Sequence, residues 1–232
     1  MRWWFGISVA TGLIMIAVAL RLWGAAEVRA DAGEVLFLTA LGAVWLILST
    51  VLFSWLGLSW RDDVVERRNS AALIALCGAI LSVAIIYAGG SLGEGPSYWD
   101  NIFSAGLGTS GLLVLWIVLE LGERVSMSVA EERDLASGLR MCGFLLATGL
   151  VLGRAVAGDW HSATATSRDF LHDGWPAAVL CSIALVVERF ARPSRDHPIP
   201  EFSTHGLLPA LLYIAFAAAW LWHLGAWEGM PK

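Results

Sequence analysis

The sequence predicts an all-α fold, a polytopic bundle of about seven transmembrane helices. Three observations carry that prediction. Hydrophobic residues make up 57% of the 232-residue chain and the mean hydropathy is +0.67. Charged residues amount to 15%, too few to coat a globule when a soluble domain carries about 25%. The apolar residues also gather into runs of about 20, the length that crosses a bilayer core. This balance excludes a cytosolic enzyme and a disordered chain. A nucleic-acid binder would need a basic surplus, whereas the net charge is −5. Three cysteines are too few for a disulfide scaffold.

The seven runs lie near residues 3–23, 35–58, 70–90, 100–122, 135–157, 171–191 and 205–226, in one integral membrane domain covering 1–232. The first has Arg2 ahead and Gly24-Ala25-Ala26 behind, like a signal peptide. Its apolar run exceeds the 7–15 residues of such a segment, so a retained helix is expected. The fourth is the least apolar, diluted by Gly106, Gly108 and Gly111. The third and fifth each follow a short polar side chain, Asn69 or Asp134, suited to capping free backbone N–H groups. Ala71, Ala75 and Ala79 then recur every four residues in the third, as do Gly149 and Gly153 in the fifth. Small faces permit close backbone approach where lipid gives no hydrophobic drive for association. The third and fifth helices are therefore expected at the centre of the bundle.

Fourteen of the fifteen basic residues are arginine. Nine basic residues (Arg2, Arg61, Arg67, Arg68, Arg124, Arg133, Arg189, Arg192 and Arg195) fall on the amino-terminal side of the spans. Five (Arg21, Arg29, Arg154, Arg168 and Lys232) fall on the other. The bias predicts a cytoplasmic amino terminus and a periplasmic carboxyl terminus in a bacterial inner membrane. Most tryptophans, among them Trp3, Trp4, Trp23, Trp99, Trp175 and Trp222, sit near span ends, where an indole ring meets both lipid and water. The loops are short, so any function belongs in or against the membrane.

The chain also matches itself at a shift of 65 residues. Glu66, Arg68, Ala71, Cys77 and Gly78 align with Glu131, Arg133, Ala136, Cys142 and Gly143, five identities in thirteen positions, with Asn69 opposite Asp134. Such a shift spans two helices and two loops. The reading is a parallel two-helix internal repeat with units at about 35–90 and 100–157, and a degenerate third at 171–226 opened by Glu201 and Gly206.

These residues, with Asn69-Ser70-Ala71-Ala72, Trp99-Asp100 and Asp134-Leu135-Ala136-Ser137-Gly138, resemble the YjfL-like family of bacterial inner-membrane proteins of unknown function. The resemblance extends over roughly residues 35–220. It implies a helical inner-membrane bundle, encoded in some genomes near envelope-stress proteins, and supplies no activity or catalytic residue. Asp134 departs from the asparagine expected in the second copy.

Ionisable residues inside spans are costly and point to function. Arg140 lies about one and a half turns into the fifth helix, with Glu120 and Glu188 near the same ends of the fourth and sixth. The expectation is a carboxylate–Arg140–carboxylate cluster, either a structural pairing or a proton or ion relay, with snorkelling to headgroups as the remaining alternative. On the opposite side, five basic and nine acidic residues give a rim of net −4. His161, His172 and His223 match no compact metal spacing, and Cys77, Cys142 and Cys181 read as small hydrophobes in helix interiors. No phosphate-binding glycine loop or His-Glu-x-x-His is present. No catalytic residue, metal or cofactor is assigned.

The first functional expectation is a non-enzymatic accessory or scaffold component in envelope maintenance. Its partners would be the lipid bilayer, further copies of the chain or other membrane proteins, and not nucleic acid. The alternatives are a small ion or proton channel or transporter using Arg140, Glu120 and Glu188, and an electron-transfer subunit. Topology is directly testable. Reporter fusions after Arg68 and after Arg192 should read cytoplasm and one after Gly93 periplasm; the reverse pattern would invert the orientation.

Overall fold

The computed structural model describes residues 2–191, 201–226 and 230. Arg192, Arg195 and Lys232, which enter the charge count above, lie outside the described residues. In chain order the helices are α1 (Arg2–Trp23), α2 (Ala26–Ala30), α3 (Ala32–Trp55), α4 (Ser70–Gly90), α5 (Tyr98–Glu123), α6 (Val125–Ala130), α7 (Leu135–Ala155), α8 (Ala163–Gly174), α9 (Pro176–Ala191) and α10 (Leu208–Leu224). Wider π-helical turns occupy Trp60–Glu66 and Phe202–Leu207. Among the described residues the only β-pairing is an isolated bridge, Gly24 to Gly93.

Among the described residues six helices are long and apolar enough to cross a membrane: α1, α3, α4, α5, α7 and the continuous Phe202–Leu224. The pair α8 and α9 passes the same test only when taken together, with a 42° bend between them, making up to seven. The sixth run, expected as a span over 171–191, is instead divided between two helices that meet at a 42° bend. The break falls at Pro176, which has no N–H for a helix crossing it. The second span starts at Ala32 rather than 35, because the Asp31 carboxylate accepts from Gly33 N at 2.7 Å and opens the helix there. It ends at Trp55, just before Gly57 turns the chain at φ +89°. Large apolar side chains cover the outside, with Trp222 89%, Trp3 85% and Leu121 80% exposed. That surface would be insoluble in water and suits a lipid surround.

At the centre lie α4 and α7, each with most of its length buried, whereas α1, α3, α5 and α10 turn one side outward. A helix buried all round must pack through small residues wherever its neighbours are close. A Cβ placed on Gly78 would fall 2.8 Å from Cys142 Cα, one on Gly138 2.7 Å from Ala71 O, and one on Gly149 2.8 Å from Ser82 Cα. At the far end a Cβ on Gly89 would collide with Gly153 O. These contacts advance together along both chains, so α4 and α7 run parallel with their backbones touching. The same device recurs between α7 and α10: a Cβ on Gly143 would lie 2.5 Å from Ala210 Cα, and one on Gly206 2.9 Å from Ala136 Cα. Thus α4, α7 and α10 form a row of parallel helices. On the other side of α4, Gly12 of α1 sits where a Cβ would be 3.0 Å from Ala84 Cβ.

Several local geometries recur 65 residues apart. Arg68 and Arg133 both take left-handed backbone, φ 52° and 57°. Each precedes a cap: the Asn69 side chain accepts from Ala71 N and Ala72 N, and Asp134 from Ala136 N and Ser137 N. The cap residues themselves donate backward, Asn69 N to Asp63 O at 2.9 Å and Asp134 N to Ser128 O at 3.0 Å. Gly93 and Gly158 both adopt positive φ, 95° and 140°. They meet directly, since a Cβ on Gly93 would collide with Gly158 O. Beside them Glu94 N donates to Asp159 Oδ1 and Trp160 N to Glu94 O, both at 2.8 Å.

The α4–α7 contact should be intolerant of side chains. Gly89→Val should lower stability by about 3 kcal/mol or more, beyond ordinary overpacking because it presses on backbone. Gly6→Val, at a site with no atom within 4 Å, should be near neutral. Thermal unfolding in detergent compares the two, and equal melting points would refute the packing argument.

Candidate functional site

Arg140 is fixed by three parts of the chain. It projects from α7, and its guanidinium is fully buried. Toward α9 it makes a two-pronged contact with Glu188, Nε to Oε1 at 2.7 Å and Nη2 to Oε2 at 2.8 Å. Nη2 also donates to Ser137 Oγ at 2.8 Å, and Nη1 donates to the His205 carbonyl. Ser137 Oγ in turn donates to Asp134 Oδ2 at 2.6 Å. The helix cap and the ion pair are therefore one hydrogen-bonded chain. Such a planar fork matches a carboxylate far better than an ammonium would.

Sequence explains each placement. On α9, Ala177, Cys181, Ala184, Glu188 and Ala191 recur at three or four residues and form its buried stripe, so Glu188 points inward. Ser137 is one helical turn before Arg140 and shares its face. The His205 carbonyl is available because its ordinary α-helical donor would be residue 209, which is Pro209 and has no N–H. Gly143 and Gly206 bring this turn against α7 closely enough for the guanidinium to reach it. Just outside the span, the Ser203 and Thr204 hydroxyls donate to the Glu201 carboxylate and hold its pKa below the usual range.

Glu120 does not join this cluster, contrary to the three-residue expectation. Its carboxylate accepts from Ser126 N at 2.9 Å and Ser126 Oγ at 2.6 Å, closing the tight turn that follows α5, where Arg124 takes φ 50°. Ser126 N and Oγ, offered by the first turn of α6, give the carboxylate local partners. Glu123, one turn on, faces Arg189 at 3.6 Å.

The residues that match at the 65-residue shift divide by role. Asn69 also donates Nδ2 to Val129 O at 2.7 Å, so the cap of α4 holds the end of α6. Ala71 and Gly78 form the α4 side of the α4–α7 contact with Gly138 and Cys142; Ala136 and Gly143 form the α7 side of the contact with α10. Glu66 makes an exposed pair with Arg61, and Glu131 is exposed. Cys77 and Cys142 are half-buried free thiols. Among the described residues no three His, Cys, Asp or Glu side chains are placed to hold a metal ion. His161, His172 and His223 are engaged separately, with Asp159 O, Asp173 and the Trp220 ring.

Sequence reasoning missed Ser137 and the His205 carbonyl. The signals were the serine three residues before Arg140 and the proline four residues after His205.

Residues 30–156 match the family described as DUF350, a domain of unknown function. The chain belongs to the DUF350 family. The matched segment opens immediately before α3 and closes immediately after α7. It therefore contains the α4–α7 contact, both polar caps and Arg140, but neither Glu188 nor His205. No curated protein and no solved structure matches the chain.

Arg140→Met should destabilise by about 3–5 kcal/mol, as should Glu188→Met, because each strands a buried charge. The double variant should recover most of that loss, since an apolar pair leaves no charge unmatched. Denaturation in detergent of the three variants checks this; additive losses would mean the two groups are uncoupled.

Proposed function

We propose that this DUF350 protein is a non-enzymatic component of the bacterial inner membrane, a scaffold that acts through helix contacts with further copies of itself or with other membrane proteins. The observation that carries this reading is the saturation of Arg140. Four hydrogen bonds to Glu188, Ser137 and the His205 carbonyl use nearly all its donors, which suits a brace. A group that relays protons or ions needs a partner it can release. The cleft-like cavities support the same view, because they lie at helix ends, beside Arg2 and Arg68, beside Glu34 and Glu94, and beside Arg154 and Asp159.

In this reading the amino terminus is cytoplasmic, and the chain is of the YjfL-like kind with a role in envelope maintenance. The two halves of the DUF350 segment are copies of one helix pair. The left-handed arginines, polar caps and positive-φ glycines spaced 65 residues apart support that duplication. The last helix, packed through Gly206 and Ala210, is a third and more divergent copy.

A second reading, an ion or proton path, is favoured by buried hydroxyls of Thr148 and Tyr213 that have no hydrogen-bond partner among the described residues. Proteoliposomes separate the two. The scaffold reading expects proton and potassium flux no greater than in protein-free vesicles. Flux that is abolished by Arg140→Ala at unchanged folded yield would overturn it.

A further inference from the structure

A cavity of about 580 Å³ opens at the end of the bundle where α1 begins. Its lining is Arg2 and Trp3 from α1 and Val64, Val65 and Arg68 from the turn before α4. The two segments are held together by Phe5 and Trp60, whose rings stack at 4.3 Å, and by the fully buried Val64.

Two features of the lining are chemical. It contains two guanidinium groups and no carboxylate. The acidic side chains close by in sequence are already engaged: Asp62 with Ser59 Oγ at 2.9 Å, Asp63 with Ser59 N at 2.8 Å and with Arg67 at 3.4 Å, and Glu66 with Arg61 at 3.3 Å. Among the described residues Arg2 and Arg68 make no ion pair or side-chain hydrogen bond, while their neighbours Arg61 and Arg67 do. The second feature is backbone. Arg68 holds φ 52°, a conformation that is costly with any side chain and that glycine adopts freely. The position nevertheless carries an arginine whose side chain lines the cavity.

We propose that this cavity seats the phosphodiester of an anionic phospholipid. Arg2 and Arg68 clamp the phosphate oxygens, since a guanidinium fork pairs with two oxygens at once. Trp3, 85% exposed at the helix end, lies at the depth where an indole meets headgroup and acyl chain. The half-buried Val65 supplies the apolar wall for the glycerol and upper chain. Juxtamembrane basic clefts of this kind favour anionic over zwitterionic headgroups. The site is independent of the scaffold reading and uses none of the Arg140 network.

The test uses the full-length protein in neutral detergent, titrated with dioleoylphosphatidylglycerol, dioleoylphosphatidylcholine or inorganic phosphate while its melting temperature is followed. Phosphatidylglycerol should give a saturable rise of roughly 5 °C, the size expected for a ligand well above its Kd. Phosphatidylcholine and inorganic phosphate should give little. The variant Arg2→Gln/Arg68→Gln should lose the rise, and Arg168→Gln should keep it. Arg68→Gly, which relaxes the backbone, should raise the melting temperature without lipid and still lose most of the lipid response. It also keeps the test open if the double variant does not fold. Native mass spectrometry should show one retained phosphatidylglycerol on the unsubstituted protein and none on Arg68→Gly. An equal response to phosphatidylcholine, or an undiminished phosphatidylglycerol response in the Arg68 variants, would overturn the proposal. An equal response to inorganic phosphate would move the ligand out of the bilayer and overturn the lipid assignment.

Discussion

Backbone contact between α4 and α7 is the constraint on which the other elements depend. At Gly78, Gly89, Gly138 and Gly149 there is no room for a Cβ, so the two helices meet backbone to backbone. In lipid that proximity replaces the hydrophobic effect as the source of cohesion, because it maximises dispersion contact. It also aligns the two amino termini at one end of the bundle. There the caps of α4 and α7 interlock with the turns before them, with Asn69 reaching Val129 O and Ala130 O. At the other end Gly93 and Gly158 meet.

The second level of organisation uses charge instead of proximity. Moving a guanidinium and a carboxylate from water into the interior costs several kcal/mol each. The cost is offset only by good geometry and hydrogen bonding, and Arg140 has a two-pronged carboxylate and four of its five donors engaged. Its partners come from α7 itself, from α9 and from the turn before α10, so the pair ties the helices after residue 156 to the DUF350 segment. A residue inside the family segment thus depends on two groups outside it, Glu188 and His205. The carboxyl-terminal helices complete the site as well as extending the bundle.

Charge elsewhere follows local chemistry. Glu120 and Glu188 occupy similar depths in sequence terms, yet one closes a turn and the other binds Arg140. The difference lies in what each helix end presents: Ser126 follows α5 closely enough to take the Glu120 carboxylate, whereas the inward stripe of α9 leaves Glu188 facing α7. Arg2 and Arg68 stand apart from both patterns, since their neighbours' carboxylates are engaged elsewhere.

By itself the sequence determined the class of structure, most of its spans and the centre of the bundle. Those depend on properties summed along a segment, namely apolar length, capping side chains and small-residue spacing, and Asn69, Asp134 and the glycines of α7 read correctly for that reason. It also singled out Arg140 and Glu188, because a charge within an apolar run is visible without coordinates. The tertiary structure decided who pairs with whom. It removed Glu120 from the cluster, added Ser137 and the His205 carbonyl, and divided the sixth apolar run into two helices at Pro176. Ser126, Ser137 and Pro176 act within a few residues of the groups they affect, but the contacts of Arg140 with Glu188 and with the His205 carbonyl join segments 48 and 65 residues apart, and only the packing of α7 against α9 and α10 brings those together.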